Sequence, residues 1–341
     1  MKFAVFGKNY DLKYRNIMDR RDIHVLKYFS SYVSVSGGKV IDVTEPTLKF
    51  CPLAGHLYDG LRGRHSSDKE AVKAVIREAI ESKIKDYGFF TGKRKFIFNK
   101  VSIPYGASEM LGFALRKKTI DAAVVVCEGA GTVITDNPDM VQGIGARMNS
   151  LTMTSPIKEI IERLRIAGCR VVFEDAVIDQ VRGVEKAMSA GYKNIAVTVC
   201  GHSAEDLKKI RLLEKESSAK VVILSVCTTE VTQDEAVIIG EYADLVWSCA
   251  SADIRRIAGP LAKIQLSLQI PVFVLTSSGV NFVSAYAKES EMIQSLDQKK
   301  QFLFSAKSGA QCAHMGDFKV FIKESALPVD ARRKPGFDNN A

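Results

Sequence analysis

A 341-residue chain with 46% hydrophobic and 26% charged residues has a globular composition, so disorder is expected only at its ends. The net charge of +9 is unevenly placed: residues 1–100 hold 20 Lys and Arg against 11 Asp and Glu, whereas the other 241 hold 28 of each. No apolar run approaches the roughly 20 residues of a membrane helix, Met1–Gly7 is too short for a signal peptide, and the seven widely spaced cysteines include no CxxC pair, so the chain reads as cytoplasmic with reduced thiols.

Residues 1–22 show no period and read as an N-terminal extension. Residues 23–104 form a small basic module. In it, Val33–Ser36 and Val40–Val43 alternate about Gly37-Gly38, a hairpin pattern. Cys51-Pro52 closes that unit. From Ser67 a helix is expected, with Val72, Val75, Ile76, Ile80 and Ile84 on one face and Gly88 at its end.

Residues 105–290 alternate between helices and short apolar strands. Helix Ser108–Arg116 leads to strand Ala122–Cys127, then a long loop and a short helix through Arg147. A helix starts at Ser155-Pro156, with strand Arg170–Phe173 and helix Gln180–Ala190 after it. Strands Ile195–Cys200, Val221–Cys227, Leu245–Cys249 and Val272–Thr276 each precede a helix. Thr232 and Glu235 supply a capping box to one of these helices. About six β/α units joined by short connections predict a doubly wound, mostly parallel Rossmann-like sheet, with an incomplete or modified α/β barrel as the alternative. Residues 291–341 break the rhythm. Gln301–Phe304 and Phe318–Ile322 could form a terminal β pair, followed by a loose tail.

Ligands of parallel sheets gather beyond the carboxyl ends of the strands. There the chain reads Cys127-Glu128-Gly129-Ala130-Gly131-Thr132, Cys200-Gly201-His202-Ser203, Cys227-Thr228-Thr229, Cys249-Ala250-Ser251 and Thr276-Ser277-Ser278-Gly279. Thiolates converging on one rim could bind zinc, an iron–sulfur cluster or another metal, with Cys51, Cys127, Cys200, Cys227 and Cys249 as candidate ligands. Buried cysteine also packs as a small hydrophobe, and short-spaced ligand pairs are absent, so structural thiols beside an organic or phosphate ligand fit the cysteines better than a metal site does.

A second constellation runs from Thr135 to Arg147. Asp136, Asn137, Gln142, Gly143, Gly145 and Arg147, with Glu128, Gly129, Gly131 and Thr132, are candidate contacts to a small anionic ligand. Glycines would admit a close backbone approach and Arg147 would clamp the anion. An ordinary capped surface loop explains the same residues. No GxGxxG follows the strand, which argues against a dinucleotide. His202, Thr228 and Ser277 complete the candidate ligand contacts. No catalytic residue is assigned.

Cys51-Pro52, Gly106–Leu111, Ile120–Gly129, Asn137–Arg147 and Ile178–Val181 together resemble the methanogenesis marker protein 8 family, over roughly His24 to Ala287. The Asn-Pro…Gln-Gly-Ile-Gly…Arg run is the specific part. Gly106–Val126 also faintly resembles the beta subunits of deazaflavin-reducing hydrogenases. The family resemblance implies a methane-metabolising archaeon or related anaerobe. It further implies an accessory role, with a protein partner, in maturation of methyl-coenzyme M reductase or its cofactor. It supplies neither a reaction nor catalytic residues.

Three readings follow. The first is an accessory protein that binds a metal cluster or small cofactor at the strand ends. The second is a metal-free enzyme acting on a small anion at the 128–147 loops. The third is a non-catalytic module whose basic N-terminal region docks an acidic protein or, less in keeping with the sequence, nucleic acid.

Overall fold

The computed structural model describes residues 22–47, 69–96, 104–148, 150–305, 309 and 311–330. The expectations for residues 1–21, Cys51-Pro52, Ser67 and residues 331–341 lie outside these. In chain order the strands are β1 (His24–Tyr28), β2 (Ser31–Ser36), β3 (Lys39–Val43), β4 (Ala122–Cys127), β5 (Gly131–Thr135), β6 (Ser150–Thr154), β7 (Arg170–Val171), β8 (Asn194–Cys200), β9 (Lys220–Val226), β10 (Leu245–Trp247), β11 (Ile264–Leu266), β12 (Val272–Val274), β13 (Phe302–Ser305), β14 (Gln311–Met315) and β15 (Phe318–Glu324). The helices are α1 (Lys69–Tyr87), α2 (Ala107–Arg116), α3 (Pro138–Gly145), α4 (Lys158–Ile166), α5 (Gln180–Ser189), α6 (Ala204–Lys215), α7 (Gln233–Tyr242), α8 (Ala252–Ile257), α9 (Ser277–Tyr286) and α10 (Ser290–Gln294).

The small sheet is antiparallel, in the order β3-β2-β1-β6. Its hairpin forms as the Gly-Gly signal predicts: Gly37 and Gly38 have φ of 58° and 66°, the left-handed pair that matches strand twist. Leu26, Tyr28, Val33 and Val35 pack on Val72, Val75, Ile76 and Ile80 of α1, with Phe89 and Phe90 filling the end of the layer. The fourth strand, β6, comes from the middle of the chain.

The large sheet runs β14-β15-β13-β11-β12-β10-β9-β8-β4-β5-β7. Its centre, β4-β8-β9-β10, is parallel. These strands read as unbroken apolar runs because both faces are covered. Ala123 and Val125 of β4 face a cluster that includes α2, α3, α4 and α9 residues, whereas Ala122 and Val124 face residues of α5, α6, α7 and α8.

The structure overturns the doubly wound, mostly parallel sheet of six β/α units, and its topology is not Rossmann-like. Six of the ten pairings in the large sheet are antiparallel. Connection length decides this, since a parallel crossover needs a dozen or more residues. Only Glu128, Gly129 and Ala130 separate β4 from β5, so they form a hairpin with Cys127 opposite Gly131. Likewise only residues 267–271 separate β11 from β12, so Val272–Val274 returns antiparallel and slots between β11 and β10. The barrel alternative fails as well, because the sheet is open with β14 and β7 at its edges.

Other local expectations divide along hydrogen-bonding lines. The Thr232–Glu235 capping box forms. The expected terminal pair forms between β13 and β15. Ser155 caps no helix; its hydroxyl bonds the backbone of Ile23 instead, and α4 starts at Lys158. Among the described residues, no helix is long and apolar enough to cross a membrane.

Candidate functional site

The parallel strands β4, β8, β9 and β10 end on one rim, and the small sheet lies over it. Val126, Ile178 and Ala250, all at or just beyond the rim, pack against the small sheet's core. Thr154 of β6 accepts a hydrogen bond from the Gly129 amide at 2.7 Å, which ties that sheet to the tip of the β4–β5 hairpin.

Three of the expected thiols lie along this rim. Cys200 ends β8, Cys227 directly follows β9, and Cys249 lies two residues past β10. Both Cys227 and Cys249 are left-handed, with φ of 59° and 46°. That conformation costs an L-residue of order 1–2 kcal/mol, and such residues cluster where backbone geometry serves a site. Ser150 of β6 places its hydroxyl 3.5 Å from the Cys200 sulfur. Burial pushes the Cys227 thiol well up, and the neighbouring Cys200 and Cys249 add to this; Ser150 and the Lys27 ammonium act in the opposite direction. Burial likewise raises Cys249, against hydrogen bonds from Thr228.

Lys27 belongs to the same rim. Alternation along β1 sends Leu26 and Tyr28 into the small core and Lys27 toward the strand exits. Its buried ammonium lies 2.6 Å from Glu230, 3.3 Å from the Thr229 carbonyl and 3.3 Å from His202 Nε2. His202 Nε2 is also 3.0 Å from the Thr229 carbonyl, and Nδ1 is 3.8 Å from Glu235. The imidazole therefore has two arrangements: Nε2 donates to Thr229, or it accepts from Lys27 with the proton on Nδ1 facing Glu235. Burial and then the Lys27 charge hold the His202 pKa below its usual value. Lys27 carries a sequence signal that motif reading passes over, a lysine flanked by apolar residues inside a strand.

A partly open strip leads to this group. Thr198 and Cys200 on β8 and Val226 on β9 share one face of the sheet and stay half-buried, although central parallel strands are normally covered completely; Ala196 and Leu224 on that face are fully buried and close the strip off. The strip ends at the thiols, with Lys27 and His202 beside them.

The other expected contacts do not join it. Glu128 is fully buried and paired to Arg94 Nε; Arg94 stacks 3.8 Å over the Phe89 ring and donates to the Gly143 carbonyl at 2.9 Å. Burial pushes the Glu128 pKa up, while Arg94 pulls it down. Gly129 and Gly131 shape the hairpin turn, with φ of 74° and 67°. Thr132 bonds Gln180 at 3.0 Å and the Asp179 amide at 2.8 Å. Gln142 donates to the buried Glu109 at 3.1 Å. Gly143 and Gly145 allow close packing against Phe96 and Ser108. Arg147 is exposed, 4.8 Å over the Tyr87 ring of α1.

Strand direction separates the rest. Because β5 runs antiparallel to β4, Thr135 lies opposite Ala123, and Asp136 and Asn137 fall at the opposite rim. There Asp136 accepts from Tyr192 and Asn137 caps α3 through the amides of Asp139 and Met140. Ser277 falls on that opposite rim too, since β12 opposes β10. Thr228 stays near the thiols, donating to the Trp247 carbonyl at 2.5 Å. Cys127 turns into the core, where its sulfur donates to the Glu128 carbonyl at 3.3 Å. Cys51 lies outside the described residues. Among those described, no group of three or more His, Cys, Asp and Glu side chains is placed to hold a metal ion.

Among the described residues of the first hundred, five basic side chains form ion pairs. Lys69, Lys73 and Arg77 pair with Glu45, Glu70 and Glu81, Lys27 with Glu230, and Arg94 with Glu128.

Residues 24–288 match the family described as an uncharacterized protein conserved in archaea, DUF2099. The chain is also 39% identical over 274 residues to the uncharacterized protein MJ0054 of Methanocaldococcus jannaschii, an alignment covering 80% of this chain and 93% of that one. This protein belongs to the archaeal DUF2099 family.

Proposed function

We propose that the protein is an accessory factor that holds a small thiophilic cofactor at the rim of its parallel strands. The resemblance to methanogenesis marker protein 8, together with a relative from Methanocaldococcus jannaschii, directs that role toward methane metabolism. Maturation of methyl-coenzyme M reductase or its cofactor is the setting the resemblance implies.

One observation carries the reading: a short half-open strip over β8 and β9 ends on two half-buried thiols, Cys200 and Cys227, on neighbouring strands, with the Ser150 hydroxyl 3.5 Å from the Cys200 sulfur. Soft thiolate ligands select soft metals and clusters. Two thiols supply only part of a coordination shell, so a metal held here would bring its remaining ligands with it as part of a cofactor. Lys27 and His202 would meet the polar end of that molecule.

The test is anaerobic isolation of the full chain, with visible absorbance and elemental analysis. The expected result is a bound chromophore or metal that is lost in both Cys200→Ser and Cys227→Ser but kept in Cys312→Ser. A colourless, metal-free protein whose two rim variants behave as the parent would overturn it.

A further inference from the structure

Cys200 is registered against Val226 across β8 and β9, which puts Cys227 one residue farther along the neighbouring strand. Adjacent strands lie about 4.8 Å apart and rise about 3.3 Å per residue, so the two Cα atoms are separated by about 6 Å. A disulfide spans Cα separations of about 4.4–6.8 Å. The Ser150 hydroxyl lies 3.5 Å from the Cys200 sulfur, and Cys200 is near enough to Cys227 to push its thiol pKa up. Both residues are half-buried, so a small reagent can reach them, and the left-handed turn at Cys227 carries its side chain out of the regular strand alternation. Cys249 is one strand farther on, buried, and engaged by Thr228.

From this geometry we infer that Cys200 and Cys227 are a redox-active pair that closes to a reversible disulfide by exchange with low-molecular-weight disulfides. One rim thiolate attacks a sulfur of the small disulfide RSSR and expels one thiolate. The second rim thiol, on losing its proton, displaces the other. Two protein thiols and one RSSR thus become one intramolecular disulfide and two RSH, with the protein sulfurs oxidised and the small disulfide reduced. The inference rests on reading the rim as a ligand site, because the oxidised pair has no thiolate left to offer a cofactor; redox state then regulates loading.

The full chain, reduced and exchanged into anaerobic buffer, is incubated with glutathione disulfide, alkylated, digested and mapped by mass spectrometry. The free thiol count after unfolding should fall from the seven of the sequence to five. One cross-linked peptide pair should join Cys200 to Cys227, return to free thiols with dithiothreitol and persist in Cys249→Ser. An unchanged count, mixed disulfides alone, or a cross-link to Cys51, Cys249 or any other cysteine would overturn it. Cofactor content is measured separately on reduced protein. A cross-link with no cofactor sinks the proposed function and leaves the redox pair standing, and a cofactor with no cross-link does the reverse.

Discussion

Arg94 and Glu128 form an ion pair from which water is excluded: both side chains are fully buried, and the guanidinium lies between the Phe89 and Phe96 rings while binding the carbonyls of Lys95 and Gly143. The pair joins the loop after α1, the β4–β5 hairpin and the end of α3. It therefore holds the small sheet's support against the rim.

Removing one partner strands the other charge in the core, which costs about 3–5 kcal/mol. Arg94→Met should lose that much in urea denaturation at pH 7.5. The loss should shrink at pH 5.5, because an orphaned buried carboxylate escapes its penalty by taking up a proton. Arg94→Met with Glu128→Gln should recover much of the difference. A double variant as unstable as Arg94→Met alone would show that packing, not the stranded charge, sets the cost.

The buried His24 bridges Thr154 through Nδ1 at 2.6 Å and Asp22 through Nε2 at 2.9 Å, with the Phe90 ring alongside. Burial lowers its pKa, and Asp22 only partly restores it. The unfolded chain thus binds more protons in the window from about 6.5 down to the depressed folded value. Stability should be full above about pH 6.5, drain as pH falls through that window, and level off below it. His202, also lowered, adds in the same direction. Denaturation midpoints between pH 8 and 5 check this: His24→Gln should flatten the decline. An equally steep decline in that variant would exclude His24 as its source.

What the sequence reveals here is local, and what it hides depends on strand direction. Gly37-Gly38, the Thr232–Glu235 box and the apolar runs at 122–127, 195–200 and 221–226 act through neighbouring residues, and each appears where its pattern stands. The three-residue strand β11 is too short to show a period, so its hairpin with β12 was invisible, and with it the reversal that sends Ser277 to the far rim. The Gly129–Gly131 text suits a phosphate loop and a tight hairpin equally; the register of β5 on β4 decides. The convergence of Cys200, Cys227 and Cys249 was legible, since parallel neighbours end together. Lys27 and Ser150 reach the site from a sheet formed by distant segments, which no local pattern encodes.

Two glycines distinguish packing from backbone conformation. A Cβ on Gly143 would lie 1.5 Å from the Phe96 carbonyl oxygen, a backbone atom that cannot swing aside as a flexible side chain can. Gly143→Ala should cost at least about 3 kcal/mol, the upper end of overpacking penalties. Gly168 is left-handed at φ of 84° with open space around it, so Gly168→Ala should cost only about 1–2 kcal/mol. Equal losses for the two in thermal or urea unfolding would contradict this geometry.

Burial and then the Lys27 charge hold down the His202 pKa across the rim. The Lys27 ammonium lies 3.3 Å from Nε2 and opposes a second positive charge there, whereas Glu235 and Glu230 favour one. Lys27→Met should therefore raise the His202 pKa toward the ordinary value, and Glu235→Gln should lower it further. Glu230 is exposed, so losing its lysine leaves no buried charge behind and the fold should survive. The C2 proton resonance of His202, assigned by its disappearance in His202→Gln, gives the titration directly. If it does not move in Lys27→Met, the two groups are not coupled. If Lys27→Met also weakens cofactor retention while both rim thiols still react, then the lysine contributes to the ligand site by charge, independently of the sulfur chemistry at Cys200 and Cys227.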